Sequence, residues 1–313
     1  MRIVSLIPSG TEIACLLDLD AQLVGVSHEC DYPPEARGKP VLIRPILDPD
    51  LLASAEIDRR IVERRRAGAP IYLLDPDLLA RAAPDLILTQ ALCDVCAVGY
   101  RDVAAVAERL PRRPEVLSLD PRTLGEVLDD IQRVAAATGT MERAREVGAG
   151  LRRRIDRVAG RAREARDRPR VACLEWLDPP YAAGHWIPEM VELAGGVDLL
   201  GAKGSPSLPV AWEAVRAARP EIVVLMPCGF EIPRTLRELA CLTERPGWWD
   251  LPAVRAEQVW VVNGHAYYSR PGPRLVDGLE YLAQILHPEL FTWTAPLEAV
   301  LHLDLSHVPW DRS

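Results

Sequence analysis

The stretch Thr140–Arg168 constrains this chain most. Apolar or small residues recur at Met141, Ala144, Val147, Leu151, Ile155, Val158, Ala162 and Ala165. Their steps of three or four place them on one face of a helix. Charges of both signs fill the other faces. Thr138 or Thr140 can cap the start, Glu142 suits the positive end of the helix dipole, and Pro169 forbids continuation. The spacing predicts one helix of roughly 40 Å, too long for an ordinary crossover. Gly148, Gly150 and Gly160 each weaken it by about 1 kcal/mol relative to alanine, so it must lean on a neighbour. Both flanks read as alternating strand and helix. The helix therefore joins two α/β lobes; the competing reading is a solvated surface helix within one domain.

A length of 313 residues suits one large or two ordinary domains. The division read here is an N-terminal lobe at 1–138, the joining helix at 139–168, a second lobe at 169–290 and a surface-wrapping tail at 291–313. In the first lobe, strands are predicted at Ile3–Ile7, Leu23–Val26, Ile71–Leu74, Leu86–Thr89 and Val116–Leu119. Helices lie between them, among them Asp48–Ala67 and Pro76–Ala82. In the second lobe, strands are predicted at Arg170–Glu175, Ile222–Met226 and Val259–Val262, with a closing helix at Gly272–Leu286. Strands separated by helices imply an α/β fold of two Rossmann-like lobes with mainly parallel sheets.

In such sheets ligands bind outside the carboxyl ends of the strands. Here the polar, aromatic and sulfur residues gather at those ends. His28, Glu29 and Cys30 follow one strand, and Gln90, Cys93 and Cys96 another. Trp176, Asp178 and Tyr181 follow a third, with His185 and Trp186 beyond. Cys228 and Phe230 follow a fourth, and His265, Tyr267 and Tyr268 a fifth. If the lobes face each other, these loops line one cleft. Eight Trp and seven Tyr against two Phe favour a flat ligand with a polar rim. Arg270, beside the Pro271-Gly272-Pro273 start of the last helix, can meet a ligand acid or pair with a nearby one.

Enzyme signatures are missing: no phosphate loop, GxGxxG, GxSxG or HExxH is present. Ser9, Gly10 and Thr11 open a helix, either as an anion site of backbone N–H groups or as an ordinary N-cap. Cys93 and Cys96 form a CxxC that can hold a transition-metal ion, cycle as a dithiol, or simply pack a loop. His28 and His265, with Cys93 and Cys96, are the candidate metal ligands. A net charge of -8 argues against a nucleic-acid partner. No apolar run is long enough for membrane insertion. Seven scattered cysteines and no signal-peptide pattern read as a reduced, cytoplasmic monomer, or an extracytoplasmic one if a leader has been removed.

The segments RIVSLIPSGTEI, VGVSHECDYPPEARG, PDLILTQALCDVCAV, DPPYAAGHWIPEMVELAGG, PEIVVLMPCGF and RPGPRLVDGLEYLAQILHPE, in that order, carry a family likeness over roughly residues 1–290. The chain resembles the helical-backbone class of ABC-transporter substrate-binding proteins, in its cobalamin-binding branch and closest to a leaderless subgroup. The resemblance implies a periplasmic-binding-protein-like fold, with a cobalamin or related corrinoid held between the lobes without catalysis. It also implies an ABC permease as partner. The implied contacts fall at Ser9, the loop after Val26, Gln90, the Trp176–Trp186 region and the loop after Val262. Glu192, three residues before Gly195-Gly196, matches the acid that docks onto the permease. Two alternatives stay open beside it: a metal-ion or metal-chelate binder using the His and Cys side chains, and an enzyme, either a dithiol oxidoreductase or a metal-dependent hydrolase.

Overall fold

A computed structural model describes residues 1–91 and 100–305. The chain divides into two compact units. The first comprises Met1–Leu52, Glu56–Arg153 and Arg270–Pro273. The second comprises Ala53–Ala55, Arg154–Ser269 and the chain from Arg274 on.

The first unit carries six strands: β1 (Ile3–Ser5), β2 (Leu23–Ser27), β3 (Val41–Pro45), β4 (Tyr72–Leu74), β5 (Leu86–Thr89) and β6 (Glu115–Ser118). They form one sheet in the order β4-β3-β2-β1-β5-β6. All pairs are parallel except β3–β4. The chain leaves the central β1 first toward β2 and β3 and later crosses to β5 and β6. The strand order therefore reverses between β1 and β5, which makes their carboxyl ends the expected binding edge. The helices are α1 (Pro8–Leu16), α2 (Ser54–Arg66), α3 (Pro76–Ala82), α4 (Tyr100–Ala107) and α5 (Leu124–Thr138). Val4, Leu6, Leu42, Ile43, Leu79 and Ile87 belong to one hydrophobic core cluster of this unit. Burying each of these side chains contributes about 1.5–3 kcal/mol.

The long helix α6 (Met141–Ala162) supplies residues to both units, the division falling between Arg153 and Arg154. It spans 22 residues and ends before the expected Arg168. Glu164 N–H bonds to Arg161 O at 3.1 Å and Ala165 N–H to Ala162 O at 3.2 Å, tightening the chain into turns well before Pro169. Ala144, Leu151, Val158 and Ala162 are buried, while Met141, Val147 and Ile155 keep partial exposure. The helix leans on its neighbours through its arginines. Within the first unit Arg143 Nε reaches Asp18 at 3.0 Å. Within the second, Arg154 grips Asp277 and Glu280 at 2.5 and 2.6 Å.

In the second unit the strands are β7 (Arg170–Leu177), β8 (Pro180–Ala182), β9 (Val197–Asp198), β10 (Leu208–Pro209), β11 (Ile222–Leu225), β12 (Val259–Val262) and β13 (Val300–His302). The sheet runs β10-β8-β7-β11-β12-β13, with β9 beside β7. Its centre, β7-β11-β12, is parallel, and antiparallel β8, β10 and β13 flank it. The helices are α7 (Ile187–Leu193), α8 (Trp212–Ala218), α9 (Ile232–Leu236), α10 (Ala240–Thr243), α11 (Pro252–Arg255), α12 (Gly264–Tyr267) and α13 (Leu275–Leu286). The stretch expected to wrap the surface instead adds a strand, since β13 pairs with Trp260–Val262. Here the order reverses between β8 and β11 around β7. Leu174, Val223, Leu225, Trp248 and Val261 centre the core beneath.

Candidate functional site

In the first unit, the chain after β1 turns directly into α1. Ser9, Gly10 and Thr11 lie inside this helix and are buried. The helix starts at Pro8, with Ile7 at the N-cap and no side-chain cap bond, so the expected Ser9–Thr11 cap is not formed. Thr11 Oγ1 instead donates to Cys30 Sγ at 3.0 Å, and Ser27 Oγ lies 3.2 Å from the same sulfur. Burial raises the Cys30 thiol above its ordinary value, opposed by these hydrogen bonds. Gly10 fits because a Cβ there would stand 2.9 Å from Ser5 Oγ and 3.1 Å from Leu88 Cβ, which presses the helix onto β5.

The loop after β2 is held by an arginine from far along the chain. Arg270 is 5% exposed. Its Nη1 binds the Asp31 carboxylate and lies 3.6 Å from Glu12 Oε1, and its Nη2 donates to Glu29 O at 2.8 Å. Of the two roles open to Arg270, the structure shows pairing with nearby acids. Gly272, in the same segment, passes close to Ser9 and Glu12. His28 and Glu29 keep partial exposure, with His28 Nε2 3.8 Å from Glu29 Oε1 and the imidazole tilted against Tyr72. At the end of β5, Gln90 is buried and Ala91 N–H donates to the Asp120 carboxylate. Cys93 and Cys96 lie outside the described residues.

In the second unit, the carboxyl ends of β7 and β11 lie side by side. Trp176 is partly exposed and packs on Phe230 at 4.9 Å, and its Nε1 donates to Ser54 O at 3.2 Å. Phe230 itself is buried beneath Trp176 and the Arg234 guanidinium, which lies 4.2 Å from its ring centre. It supports the Trp176 ring. Arg234 pairs with Glu238, whose carboxylate also accepts Ser54 N–H at 2.8 Å. Asp178 accepts from Arg245 at 2.8 Å. Tyr181 faces Trp176 across the β7–β8 pair. Cys228 N–H bonds to Glu175 O at 2.8 Å, tying the two strand ends together.

Two aromatics expected at the site are core residues. Trp186 is 5% exposed and Tyr268 only 2%. The Trp186 indole donates to Tyr268 O at 2.8 Å, and the Tyr268 hydroxyl to Gly278 O at 3.0 Å. Their polar handles are thus satisfied inside the unit. Their neighbours differ. His185 sits at φ 52, a left-handed conformation rare for a non-glycine residue. It is held by His185 N–H to Ser205 O at 2.6 Å and Gly204 N–H to His185 O at 2.8 Å. His265 and Tyr267 are partly exposed on α12, which Asn263 caps. Tyr267 meets Tyr281 edge-on at 5.2 Å. Glu192 is exposed on α7.

Among the described residues no group of three or more His, Cys, Asp or Glu side chains is placed to hold a metal ion. His28 belongs to the first unit and His265 to the second. No described helix is long and apolar enough to cross a membrane. A cavity of about 630 Å³ opens at the amino ends of the second sheet, lined by Glu164, Asp167, Glu221, His287 and Glu289 among others. It lies away from the carboxyl edge, and Arg166 joins the acids in its lining.

The missed residues are Glu12, Glu175, Ser207, Arg234 and Glu238. Glu175 carried a readable signal, a single acid in the apolar run Val171–Leu177. The rest depend on partners that only folding brings together.

The sequence profile described as periplasmic binding protein matches residues 3–265. The vitamin B12-binding protein of Vibrio cholerae is 25% identical over 288 residues, covering 91% of this chain and 88% of that protein. An uncharacterised ABC transporter substrate-binding lipoprotein of Bacillus subtilis, YvrC, is 23% identical over 300 residues, covering 93% and 81%. Among solved structures, the periplasmic heme-binding protein RhuT from Roseiflexus superposes with a TM-score of 0.67 at 21% identity, covering 92% of this chain and 98% of that one. That likeness is one of fold.

Proposed function

The chain belongs to the periplasmic binding protein family, and on that premise we propose that it is a non-catalytic binding protein for a cobalamin-like corrinoid. The observation that carries the ligand is the match to a vitamin B12-binding protein along 91% of this chain. The chemistry of the strand ends supports it. Trp176, Tyr181 and Tyr267 keep part of their surface open, and aromatic faces of this kind stack on flat macrocycles while offering a polar edge. His28, His185 and His265 are also partly exposed, and a neutral imidazole at any of them suits an axial position on cobalt. An ABC permease is the partner this reading implies, with Glu192 as its docking acid.

The test is titration of the metal-stripped protein with cyanocobalamin, followed by calorimetry and the visible spectrum. Saturable one-site binding at micromolar or better is expected, with haemin binding more weakly in the same assay. Absence of saturable cyanocobalamin binding refutes the reading.

A further inference from the structure

The strand β7 reads RVACLEWL, and between Val171 and Leu177 its one charged side chain is Glu175. Three observations set this residue apart. First, the β7–β8 register slips there. Leu174 pairs with Ala182 and Trp176 with Tyr181, so two steps along β7 match one along β8. Glu175 is the extra residue of a bulge, a device that re-aims a side chain and recurs beside functional sites. Second, its carboxylate is fixed by one oxygen alone. Oε2 accepts Ser207 Oγ–H at 2.7 Å and Gly184 N–H at 3.3 Å. Ser207 Oγ is itself located by Gly184 N–H at 3.1 Å. Oε1 accepts nothing from any described residue, and the residue keeps partial exposure. Third, no described cation pairs with it. Burial raises its carboxyl above the ordinary value, with the Ser207 and Gly184 hydrogen bonds opposing the rise.

A strand-end acid without a counter-ion is destabilising unless something else uses it. Structure alone would be served better by an apolar residue in this run. An oriented oxygen with an open lone pair accepts a hydrogen bond from a neutral N–H donor and repels another carboxylate. We propose that Glu175, located by Ser207 and Gly184, is a ligand-contacting residue that accepts an N–H from a peripheral carboxamide of the ligand. It thereby selects an amide-rimmed corrinoid over a tetrapyrrole rimmed by carboxylates. The inference rests on the corrinoid reading above and adds the basis of its selectivity.

The test compares two probes with the same macrocycle and opposite rims: dicyanocobinamide, which carries amides, and dicyanocobyrinic acid, which carries carboxylates. Wild type should prefer the amide form by about tenfold or more. Glu175→Gln keeps the shape and the anchored oxygen but turns an N–H₂ toward the ligand. It should narrow that preference by about tenfold, through weaker cobinamide and stronger cobyrinic acid binding. Ser207→Ala leaves the carboxylate in place but loosens it, and should narrow the preference by about threefold. An unchanged ratio in both variants overturns the inference while leaving corrinoid binding intact. If wild type binds neither probe and no cyanocobalamin, the corrinoid reading falls and the inference with it.

Discussion

Replacing Arg270 with Met tests whether this residue holds the first unit together. The Arg270 side chain is 4% exposed, and the Glu12 side chain it faces at 3.6 Å is 2% exposed. Asp31, its closer partner, is more open at 29%. Met matches much of the arginine stem, so the packing change is small. The electrostatic change is not. Glu12 keeps its burial and loses a guanidinium, and removing one partner of a buried pair costs about 3–5 kcal/mol. Asp31 can turn toward water, so its share is only about 1 kcal/mol or less. The expected loss is therefore about 4 kcal/mol, which at a urea slope of about 2–3 kcal/mol/M lowers the midpoint by about 1–2 M. The composition supplies a built-in control. All eight tryptophans fall between Trp176 and Trp310, so indole fluorescence reports the second unit and far-ultraviolet dichroism reports both. The dichroism midpoint should move further than the fluorescence midpoint. Glu12→Gln in the Arg270→Met background should restore most of the loss, because it removes the buried charge that the guanidinium faces in the wild type. A loss below about 1 kcal/mol, or a double variant no better than the single one, would refute the reasoning.

Two further outcomes are expected. Asp130, on α5, is 3% exposed; its Oδ1 accepts Arg133 Nη1 at 2.7 Å and its Oδ2 is buried without a partner. Burial raises its carboxyl from 3.8 to about 6, against the pull of Arg133. The folded state thus holds the proton more tightly than the unfolded one. That contribution to stability is complete below the unfolded value and is lost as pH rises through about 6. Asp130→Asn mimics the protonated form, so its advantage over wild type should grow by about 2–3 kcal/mol between acid and pH 8; urea midpoints at the two extremes check this, and equal differences at both would refute it. At Glu192, Glu192→Arg should leave cyanocobalamin affinity within about twofold of wild type, since the residue is an exposed one on α7. It should abolish ligand-dependent stimulation of ATP hydrolysis by the reconstituted permease; stimulation equal to wild type would remove Glu192 from docking.

Elements whose signals are local were readable. Pro76–Ala82, Leu86–Thr89 and Val259–Val262 sit where proline, aspartate or glycine punctuation brackets an apolar run, and the structure has the same bounds. β3 was missed because Pro40, Pro45 and Pro49 make its surroundings look like loop, yet Val26 and Ser27 supply its ladder from outside. β8, β10 and β13 have two or three residues each and exist only through their partners. The helix α2 begins at Ser54 and not at Asp48, and Ser54 N–H is taken by Glu238, 184 positions away.

The same physics decides the site. Trp176 and Trp186 are identical in type, one in the last residues of β7 and the other ten positions on, but only Trp186 is buried with its indole spent on Tyr268. Residue type told which chemistry was available, and packing told which of it faces solvent. Arg270 shows the limit most sharply. A guanidinium near a helix start can serve a ligand acid or a protein acid equally well as far as sequence goes, and the acids that claim it lie 239 or more residues earlier. Glu175 runs the other way. A charge placed in a parallel core strand is expensive enough to be read from sequence as an anomaly. Its bulge, its single anchored oxygen and the lack of a counter-ion among the described residues then turn that anomaly into a specific claim about which rim chemistry the ligand must carry.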